Sequence, residues 1–337
     1  MATTQRQALA RDTFDELAER HRREIQVHCY RMLGSFHDAE DALQDALLNA
    51  WRSRDGFEER ASFRTWLYRI ATNTCLRKLE RRAAPGRVLP TRRGPSVGFR
   101  PLGDPDRETA WLEPYPDAAL PDAPDSAPGP AAQYEAREAT RLAFVAAIQE
   151  LPPRQRAALL LRDVVGMSTD ETAAGLGTSI PAVNSALQRA RATMKRRFPS
   201  GLPATPLVID EAHQELLERY VRTWEAGDVD GFVGLLAEDA VWSMPPWPEW
   251  YVGRQAIGDF VAWVFGNRGR RRERLARTSA NRAPAFGYYR SSPDGSEWKP
   301  FAIMVIEVRA GEITSITNFV DERVFAAFRM PAAPPPR

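Results

Sequence analysis

The sequence predicts a multidomain protein in which two all-α domains are followed by an α+β domain. The chain has 337 residues, more than a single hydrophobic core usually organises. Residues 12–83 and 133–199 show helical periodicity, and residues 84–132 between them form an acidic, proline-rich linker with little regular structure. Residues 208–329 begin with helical patterns and continue as short alternating segments, which predicts helices against a curved antiparallel sheet.

The overall charge is balanced, because 46 lysines and arginines face 44 aspartates and glutamates. Acidic residues concentrate in the linker, between Asp104 and Asp125. The two cysteines, Cys29 and Cys75, are too few for a disulfide framework. The N-terminal residues lack an apolar signal region, and no stretch has the length of a bilayer span, so we expect a cytoplasmic protein.

No motif predicts a bound cofactor. The sequence contains no glycine-rich phosphate-binding loop of the Walker type. His21, His28 and His37 lie in the same helical region as Cys29, but their spacing matches no standard zinc pattern. We therefore expect no cofactor and no metal, and we interpret these histidines as residues that pack between helices.

In the first helical region, residues 37–52 predict an amphipathic helix with an acidic face. The apolar positions that recur at helical spacing are Ala39, Ala42, Leu43, Ala46, Leu47 and Ala50. The opposite side carries Asp38, Asp41, Gln44 and Asp45. A row of acids on a helix is commonly only a solvated face, so the residues alone leave open whether this surface binds a partner.

The next predicted helix, residues 63–82, combines an apolar side with aromatic and basic groups. Phe63, Trp66, Leu67 and Ile70 suit packing. The side expected to be exposed carries Arg64, Tyr68, Asn73, Arg77, Lys78 and Arg81. Aromatic rings interleaved with cations suit single-stranded nucleic acid, where bases stack and phosphates need neutralising. The alternative is a core helix with ordinary surface arginines.

Residues 168–197 predict a helix-turn-helix. Ser168 followed by Glu171 is the pattern of a capping box, which starts a helix. Gly175 and Gly177 mark the turn. This arrangement is typical of DNA-binding modules, and its alternative is a surface helix hairpin with a solvated basic face.

The second helix of this pair begins at Ser179, which can cap it. An apolar stripe is predicted at Ile180, Val183, Leu187, Ala190 and Met194. The outward side then carries Asn184, Ser185, Gln188, Arg189, Arg191, Lys195 and Arg196. Amides, hydroxyls and guanidinium groups contact base edges and phosphates in DNA complexes.

These segments resemble the extracytoplasmic-function (ECF) sigma factors of the sigma-70 family. Residues 28–52 with 63–82 resemble region two, a helical bundle, and residues 151–196 resemble region four, with its helix-turn-helix. The two matches occur in the family order with a linker between them. The resemblance implies a subunit of RNA polymerase that directs the core enzyme to promoters and helps to melt the −10 region without nucleotide hydrolysis.

The resemblance also implies roles for individual residues. The residues at the positions that contact the β′ clamp helices of the polymerase are Asp38, Glu40, Asp41, Gln44 and Asp45. Capture of the melted −10 strand falls on the loop 55–62 and the helix after it, at Asp55, Ser62, Arg64, Tyr68, Asn73, Arg77 and Lys78. Region four also contacts the β flap of the polymerase. The residues at its −35 recognition positions are Thr178, Ser179, Asn184, Ser185, Gln188, Arg189, Arg191 and Lys195.

The last block contains predicted helices at residues 211–228, 229–238 and 253–265, with predicted strands at 239–244, 276–282, 285–292, 299–309 and 312–320. Its pattern resembles SnoaL-like domains of the nuclear transport factor 2-like superfamily, which implies an α+β cone with a pocket. We expect that pocket to be lined by Trp242, Met244, Trp247, Trp250, Tyr251, Tyr288 and Asn318.

Three roles for this block remain open from the sequence. Proteins with SnoaL-like folds include ketosteroid isomerase, an enzyme that needs an Asp base and a neutral acid. No such pair can be placed in this sequence, so we expect that the domain is not an enzyme. The preferred interpretation is a domain that modulates polymerase or promoter binding without a ligand, and the alternative is a small-molecule sensor with an aromatic pocket. The rival interpretations of the whole chain are an enzyme on a DNA-binding scaffold and an ordinary helix-turn-helix repressor.

The linker contains an aromatic, proline-rich stretch at residues 110–117. It is expected either to dock on another surface or to act as a stiff spacer. We also hypothesise that the acids between Asp104 and Asp125 meet the basic run Arg268 to Arg274.

Overall fold

A computed structural model describes residues 11–57, 62–82, 86–121, 139–199 and 210–336. The chain forms two compact units: residues 1–87 with 119–203, and residues 88–118 with 204–337. Part of the predicted −10 loop, residues 58–61, and the linker residues 122–138 lie outside the described residues. In the described part of the chain no helix has the length and apolarity needed to cross a bilayer.

The first unit is helical throughout its described residues. Its helices are α1 (Arg11–Leu33), α2 (Phe36–Ser53), α3 (Phe63–Arg82), α4 (Leu142–Ile148), α5 (Pro153–Leu159), α6 (Thr169–Leu176) and α7 (Ile180–Arg197). A π-helical turn, Leu160–Val164, continues α5. Both all-α regions predicted from periodicity are therefore present; the first has helices of 18 to 23 residues, and the second has helices of 7 to 18 residues.

Helices α1 to α3 enclose an apolar core that also contains a buried histidine. Phe14 packs edge-on against Trp51 and Phe63, with ring centroids 5.3 and 5.8 Å away. His28 is fully buried, and its Nε2 lies 2.8 Å from Thr72 Oγ1. Burial lowers the pKa of His28 to about 3, so its ring is neutral at physiological pH. His28 therefore packs between helices, as predicted.

The second unit contains the α+β domain (residues 210–336) and the linker segment (residues 88–118). The helices are α8 (Glu211–Ala226), α9 (Val229–Val233), α10 (Arg254–Asn267) and α11 (Glu322–Ala327). The strands are β1 (Leu236–Ser243), β2 (Trp250–Val252), β3 (Glu273–Ala280), β4 (Ala283–Ser291), β5 (Trp298–Arg309) and β6 (Glu312–Phe319). Strand β2 and helix α11 were not predicted, because both are short.

The six strands form one sheet in the order β2-β1-β6-β5-β4-β3. Strands β3 to β6 pair as successive antiparallel neighbours, joined by tight turns. Strand β6 then lies beside β1 in parallel, with Trp242 opposite Ile316. The α+β class is confirmed, and the sheet is mixed rather than wholly antiparallel, because the last strand of the meander inserts beside the first strand of the domain.

The linker segment is docked along the α+β domain. Tyr115 and Asn281 exchange two hydrogen bonds: the Tyr115 N–H donates to Asn281 Oδ1 at 2.8 Å, and the Asn281 N–H donates to the Tyr115 carbonyl at 2.9 Å. Leu112 and Tyr115 are buried. Of the two alternatives that the sequence left open for residues 110–117, docking is therefore the one observed.

The hypothesis that the linker acids meet the basic run is wrong for the acids whose pairings are described. Asp106 pairs with Arg93 at 3.2 Å inside the linker segment, and Asp117 accepts the Arg282 N–H at 2.9 Å. Within the basic run, Arg274 lies 3.5 Å from Glu225 of α8. Backbone contacts and apolar burial, rather than the two charge clusters, hold the segment in place.

Candidate nucleic-acid and polymerase interfaces

Helix α7 presents a polar face that no other described helix covers. Ser179 caps its first turn by accepting the Ala182 N–H. Val183, Leu187 and Ala190 are buried against the rest of the unit. All the residues assigned to −35 recognition are exposed: Thr178, Ser179, Asn184, Ser185, Gln188, Arg189, Arg191 and Lys195.

The predicted apolar stripe of α7 is wrong at its first position. Ile180 is 42% exposed, because it lies in the first turn and points away from the core that Val183 and Leu187 enter. Met194 is only half-buried. An exposed isoleucine beside Ser179 adds apolar surface to the polar face, of the kind that contacts a thymine methyl group in DNA.

The turn before α7 has the backbone that the glycine pattern predicted. Ser168 and Glu171 form a complete capping box at the start of α6, with hydrogen bonds of 3.1 and 2.8 Å. Gly177 ends α6 with φ of +60°, a left-handed conformation that favours glycine. Gly175 is buried within α6 and does not form the turn. The turn therefore sets the angle between α6 and α7.

Arg191 is held in place by an acidic partner. Its Nε and Nη2 atoms lie 2.9 and 2.6 Å from the two carboxylate oxygens of Asp163. This paired guanidinium is fixed on the surface, whereas Arg189 and Lys195 are exposed on the same face. The face thus offers both an ordered cation and adaptable ones.

On α3 the prediction that Tyr68 is exposed is wrong. Tyr68 is 3% exposed, and its hydroxyl donates to Glu24 Oε2 at 3.0 Å. Arg64 covers the ring, with its Cζ 4.8 Å from the ring centroid, and pairs with Glu24 at 2.9 Å. Burial and the Glu24 charge raise the pKa of Tyr68. A carboxylate on α1 provides the partner that a buried tyrosine needs, and this long-range contact has no local sequence signal.

Helix α6 of the second helical region lies on part of α3. The Asn73 amide donates to the Gly175 carbonyl at 3.0 Å. Thr65 Oγ1 donates to Glu171 Oε1 at 3.4 Å, so the capping-box carboxylate also contacts α3. Arg64 Nη1 reaches the Val165 carbonyl at 3.5 Å. Two residues assigned to the −10 strand, Arg64 and Asn73, are therefore engaged by the other helical region.

The remaining −10 residues lie near the ends of α3. Asp55 is exposed in a short helical turn before the loop. Ser62 is exposed and accepts the Thr65 N–H at 3.1 Å, which caps α3. Arg77 is exposed. Lys78 pairs with Asp45 of α2 at 2.8 Å, so one residue of the proposed −10 set neutralises one of the proposed polymerase set.

The acidic face of α2 is smaller than predicted. Asp38 is only 9% exposed and is bound by Arg82 and Arg87, each within 2.6 Å. Burial opposes ionisation of Asp38, but these two guanidinium groups outweigh it and lower its pKa to about 2. Asp38 is thus a structural anchor of α2 and not part of a solvated row.

The exposed part of that face is nevertheless continuous. Asp41, Gln44 and Asp45 are exposed, and Glu40 is half-buried. Leu48, one turn further along the same side, is 54% exposed. Sequence reasoning missed Leu48, because an isolated apolar residue off the main stripe is common on surfaces. Leu48 thus adds apolar surface beside the exposed acids and Gln44.

The α+β domain encloses a cavity of about 250 Å³. Five of the residues predicted for the pocket line it: Trp242, Met244, Trp247, Tyr288 and Asn318. Trp250 and Tyr251 do not line it, since the Trp250 Nε1–H donates to Gly94 and the Tyr251 hydroxyl donates to Arg100, both in the linker segment.

The cavity also contains charged groups that sequence reasoning missed. Glu273 of β3 has a fully buried side chain, and its Oε1 accepts a short hydrogen bond from the Tyr288 hydroxyl. Arg290 Nε in turn donates to that hydroxyl at 2.8 Å. Burial raises the pKa of the Glu273 carboxyl. No acid was predicted for this pocket, yet Glu273 points inward with Leu275 along β3.

Among the described residues no cluster of histidine, cysteine and carboxylate side chains is arranged to hold a metal ion. The fold and these surfaces define a two-region initiation factor of the sigma-70 class that carries an additional α+β domain. Family models agree: sigma-70 region 2 matches residues 17–84, sigma-70 region 4 matches residues 141–194, and a SnoaL-like domain matches residues 217–316.

The chain is 42% identical over 327 residues to the ECF RNA polymerase sigma factor SigG of Mycobacterium tuberculosis H37Rv, covering 95% of this chain and 85% of the relative. It is 32% identical over 222 residues to SigJ of the same organism, covering 66% of this chain and 62% of the relative. The chain belongs to the family of ECF RNA polymerase sigma factors.

The crystal structure of the M. tuberculosis ECF sigma factor SigJ has a similar fold, with a TM-score of 0.56. The match covers 93% of this chain and 98% of that one at 23% sequence identity. The family models and the identity to SigG confirm the sigma-factor resemblance of the helical regions and the SnoaL-like resemblance of the last domain, and the SigJ structure shows the same fold.

Proposed function

We propose that three surfaces of this sigma factor have separate roles in transcription initiation. The exposed part of α2, from Asp41 to Leu48, binds the β′ clamp helices of core RNA polymerase. The loop before α3, with α3 itself, holds the melted −10 strand, and the outer face of α7 recognises the −35 duplex. The single observation that supports this most strongly is that every residue assigned to −35 recognition is exposed, on α7 or in the two residues that precede it. The protein would act in the cytoplasm with the polymerase.

Strand opening by such a protein needs no nucleotide hydrolysis. Extruding a base costs roughly a few kcal/mol, which a pocket that binds only the extruded base can offset. Arg64 and Asn73 supply cationic and amide groups for that purpose once Val165 and Gly175 of the second helical region no longer engage them. This is why we regard the contact of α6 with α3 as functional rather than incidental packing.

The described first unit is therefore proposed to be a closed form that opens on the promoter. Promoter elements centred on −35 and −10 are about 25 base pairs apart, or ~85 Å at ~3.4 Å per pair. Helix α7, with 18 residues, spans only ~27 Å at ~1.5 Å per residue. Since Asn73 and Gly175 lie in direct contact, α3 and α7 cannot occupy both elements until the two helical regions separate.

The proposed polymerase surface is tested by Asp41→Arg. A cation in place of this exposed acid repels a basic partner surface, and we expect core polymerase to bind at least about tenfold more weakly, or ~1.4 kcal/mol. Pull-down and titration of core enzyme measure this, with circular dichroism to show intact helices. Glu19→Arg, an exposed acid on α1, is the matched control. Undiminished binding by the Asp41 variant means that the acids are only a solvated face.

The proposed −35 surface is tested by comparing two cations of α7. Arg189→Ala removes a group that can bind a base edge, and we expect a loss of ~1–3 kcal/mol at the preferred promoter and less elsewhere. Lys195→Ala should weaken binding to all sequences and lower the salt dependence. Binding of the holoenzyme to a promoter series at several salt concentrations measures both. Equal losses on every promoter for both variants would argue against base recognition by Arg189.

We further propose that the SnoaL-like domain sets the activity of the sigma regions in cis. Residues 88–118 connect the two helical regions in sequence, yet they belong to the same compact unit as this domain. When the SnoaL-like domain holds residues 88–118, a shorter length of free chain connects the two helical regions. This limits the distance by which the two regions can separate. Membership in a sigma-factor family favours a domain that acts by binding, and turnover by the isolated domain remains the alternative.

Truncation after Arg197 tests this proposal. The shortened chain lacks Asn281, so the linker segment loses both hydrogen bonds at Tyr115. We expect promoter-directed transcription in a reconstituted assay to change severalfold while core binding persists. If truncated and full-length proteins transcribe alike at low and moderate salt, the domain is not a regulator.

A further inference from the structure

The cavity of the SnoaL-like domain contains polar groups without partners. Among the described residues, five buried side-chain atoms that line it have no hydrogen-bond partner: Trp224 Nε1, Trp242 Nε1, Arg268 Nη1, Glu273 Oε2 and Asn318 Oδ1. Arg268 Nη1 and Glu273 Oε2 lie 3.8 Å apart, too far for a hydrogen bond between them. A buried polar atom without a hydrogen-bond partner is destabilising. Five such atoms around one space make this cavity a candidate binding site.

The charges around the cavity favour an anion. Three guanidinium groups line it, those of Arg268, Arg271 and Arg290, against the single carboxyl of Glu273. Arg290 is fixed, with its Cζ 3.6 Å from the centroid of the Phe301 ring and its Nε bonded to the Tyr288 hydroxyl. A planar guanidinium matches a carboxylate by paired hydrogen bonds.

The walls favour a flat ring. Trp224 and Trp242 stack with centroids 5.6 Å apart and planes 16° apart, and Tyr288 stands at 90° to Trp224. Aromatic faces of this kind bind planar rings by stacking and edge contacts. The volume of 250 Å³ is below the ~300–1,000 Å³ of drug-sized pockets, so the occupant is small.

The unpaired atoms specify the polar groups of the ligand. The two indole N–H groups and Arg268 Nη1 are donors, and they need acceptors such as carboxylate oxygens. Glu273 Oε2 and Asn318 Oδ1 are acceptors, and they need an N–H or O–H donor. A ring that carries a carboxylate and a separate hydroxyl or amino group supplies both kinds.

We propose that this cavity is a binding site for a small aromatic carboxylate that bears a hydroxyl or amino substituent. The carboxylate pairs with the arginines, the ring lies among the tryptophans, and the substituent donates to Glu273. Leu102 of the linker segment lines the same cavity, and the Trp247 Nε1–H donates to the Gly103 carbonyl at 2.8 Å. The ligand thus contacts the segment that joins the two helical regions, so its binding stabilises the docked linker.

The proposal is tested on the full-length protein with salicylate, 4-hydroxybenzoate, anthranilate, benzoate and benzylamine as probes. Tryptophan fluorescence reports occupancy directly, because four tryptophans line the cavity, and calorimetry confirms the affinity. At least one substituted acid should bind saturably and at least about tenfold more tightly than benzoate, since benzoate leaves buried acceptors unpaired. Benzylamine should not bind.

Two exposed neighbours provide a matched pair of variants. Arg271→Glu should weaken the best acid at least about tenfold by charge reversal at the cavity, whereas Arg270→Glu, which is equally exposed but does not line the cavity, should leave it unchanged. Glu273→Gln should abolish the preference for substituted acids over benzoate. Saturable binding by none of the acids at millimolar concentration shows a cavity that holds only water and overturns the proposal. Equal effects of the two arginine variants, or preferred binding of benzylamine, also overturn it.

Discussion

Oxidation of an Arg69→Cys, Gly175→Cys double variant is expected to abolish promoter-directed transcription. A Cβ atom built on Gly175 lies 3.9 Å from the Cβ of Arg69, within the ~3.5–4.5 Å that a disulfide requires. The bond would fasten α6 to α3 and keep Arg64 and Asn73 engaged. If the closed form has to open, open-complex formation should fall at least about tenfold, or ~1.4 kcal/mol, and reductant should restore it.

The double variant carries its own controls. Each single cysteine variant, and the oxidised wild-type protein with its buried Cys29 and Cys75, should transcribe normally. Permanganate footprinting of the −10 region and run-off transcription are measured before and after reduction. Full activity of the oxidised double variant, with the cross-link confirmed by mass spectrometry, would show that the two helical regions need not separate.

Replacement of Arg156 by alanine should have the largest effect on stability. This guanidinium is 1% exposed and donates to the carbonyls of Ile148, Gln149, Leu151 and Met32 and to the Gln149 side chain. Met32 belongs to the first helical region and the others to the second, so the group joins them. Burial lowers the pKa of Arg156 to about 10, and it remains charged at neutral pH.

The alanine variant leaves several buried carbonyls unpaired, and we expect the helical unit to lose at least about 3 kcal/mol of unfolding free energy. Urea unfolding followed by far-ultraviolet circular dichroism measures this. Arg154→Ala on the same helix removes an exposed guanidinium and should change stability by less than about 0.5 kcal/mol. Similar values for the two variants would mean that the buried hydrogen bonds contribute little.

The helices and most strands could be predicted from the sequence because their signals are local. The capping box of Ser168 and Glu171 and the left-handed Gly177 are decided within one turn of chain. The apolar runs of β4 and β5 are likewise local signals, and each strand has five consecutive buried residues, so both of its faces are covered there. Short elements such as β2 were missed, because three residues carry too little periodicity.

The errors share a different cause, since each depends on a partner far away in sequence. Tyr68 is buried because Glu24 accepts its hydroxyl, and Asp38 is buried because Arg82 and Arg87 neutralise it. Glu273 lies in a cavity because Tyr288 of the next strand bonds it. Amphipathic patterns rank such residues by polarity alone, so a polar residue with a distant partner is assigned to the surface.

The linker illustrates what composition leaves undecided. Its proline-rich, acidic character is also that of a free spacer, yet Leu112 and Tyr115 are buried within the second unit. Of the acids that suggested charge attraction, Asp106 pairs locally with Arg93 and Asp117 accepts the Arg282 N–H. This membership is the basis of the proposal that the SnoaL-like domain acts on the two helical regions through the linker segment.

The central claim is that this chain directs core polymerase to promoters through α3 and α7. Mapping of transcription start sites after induced expression, of the wild-type protein and of Arg189→Ala in parallel, tests it most directly. The account predicts new starts with the wild-type protein, each preceded at constant spacing by shared −10 and −35 sequences, and loss or redistribution of those starts with the variant. No new starts, or new starts without shared upstream sequences, would contradict it.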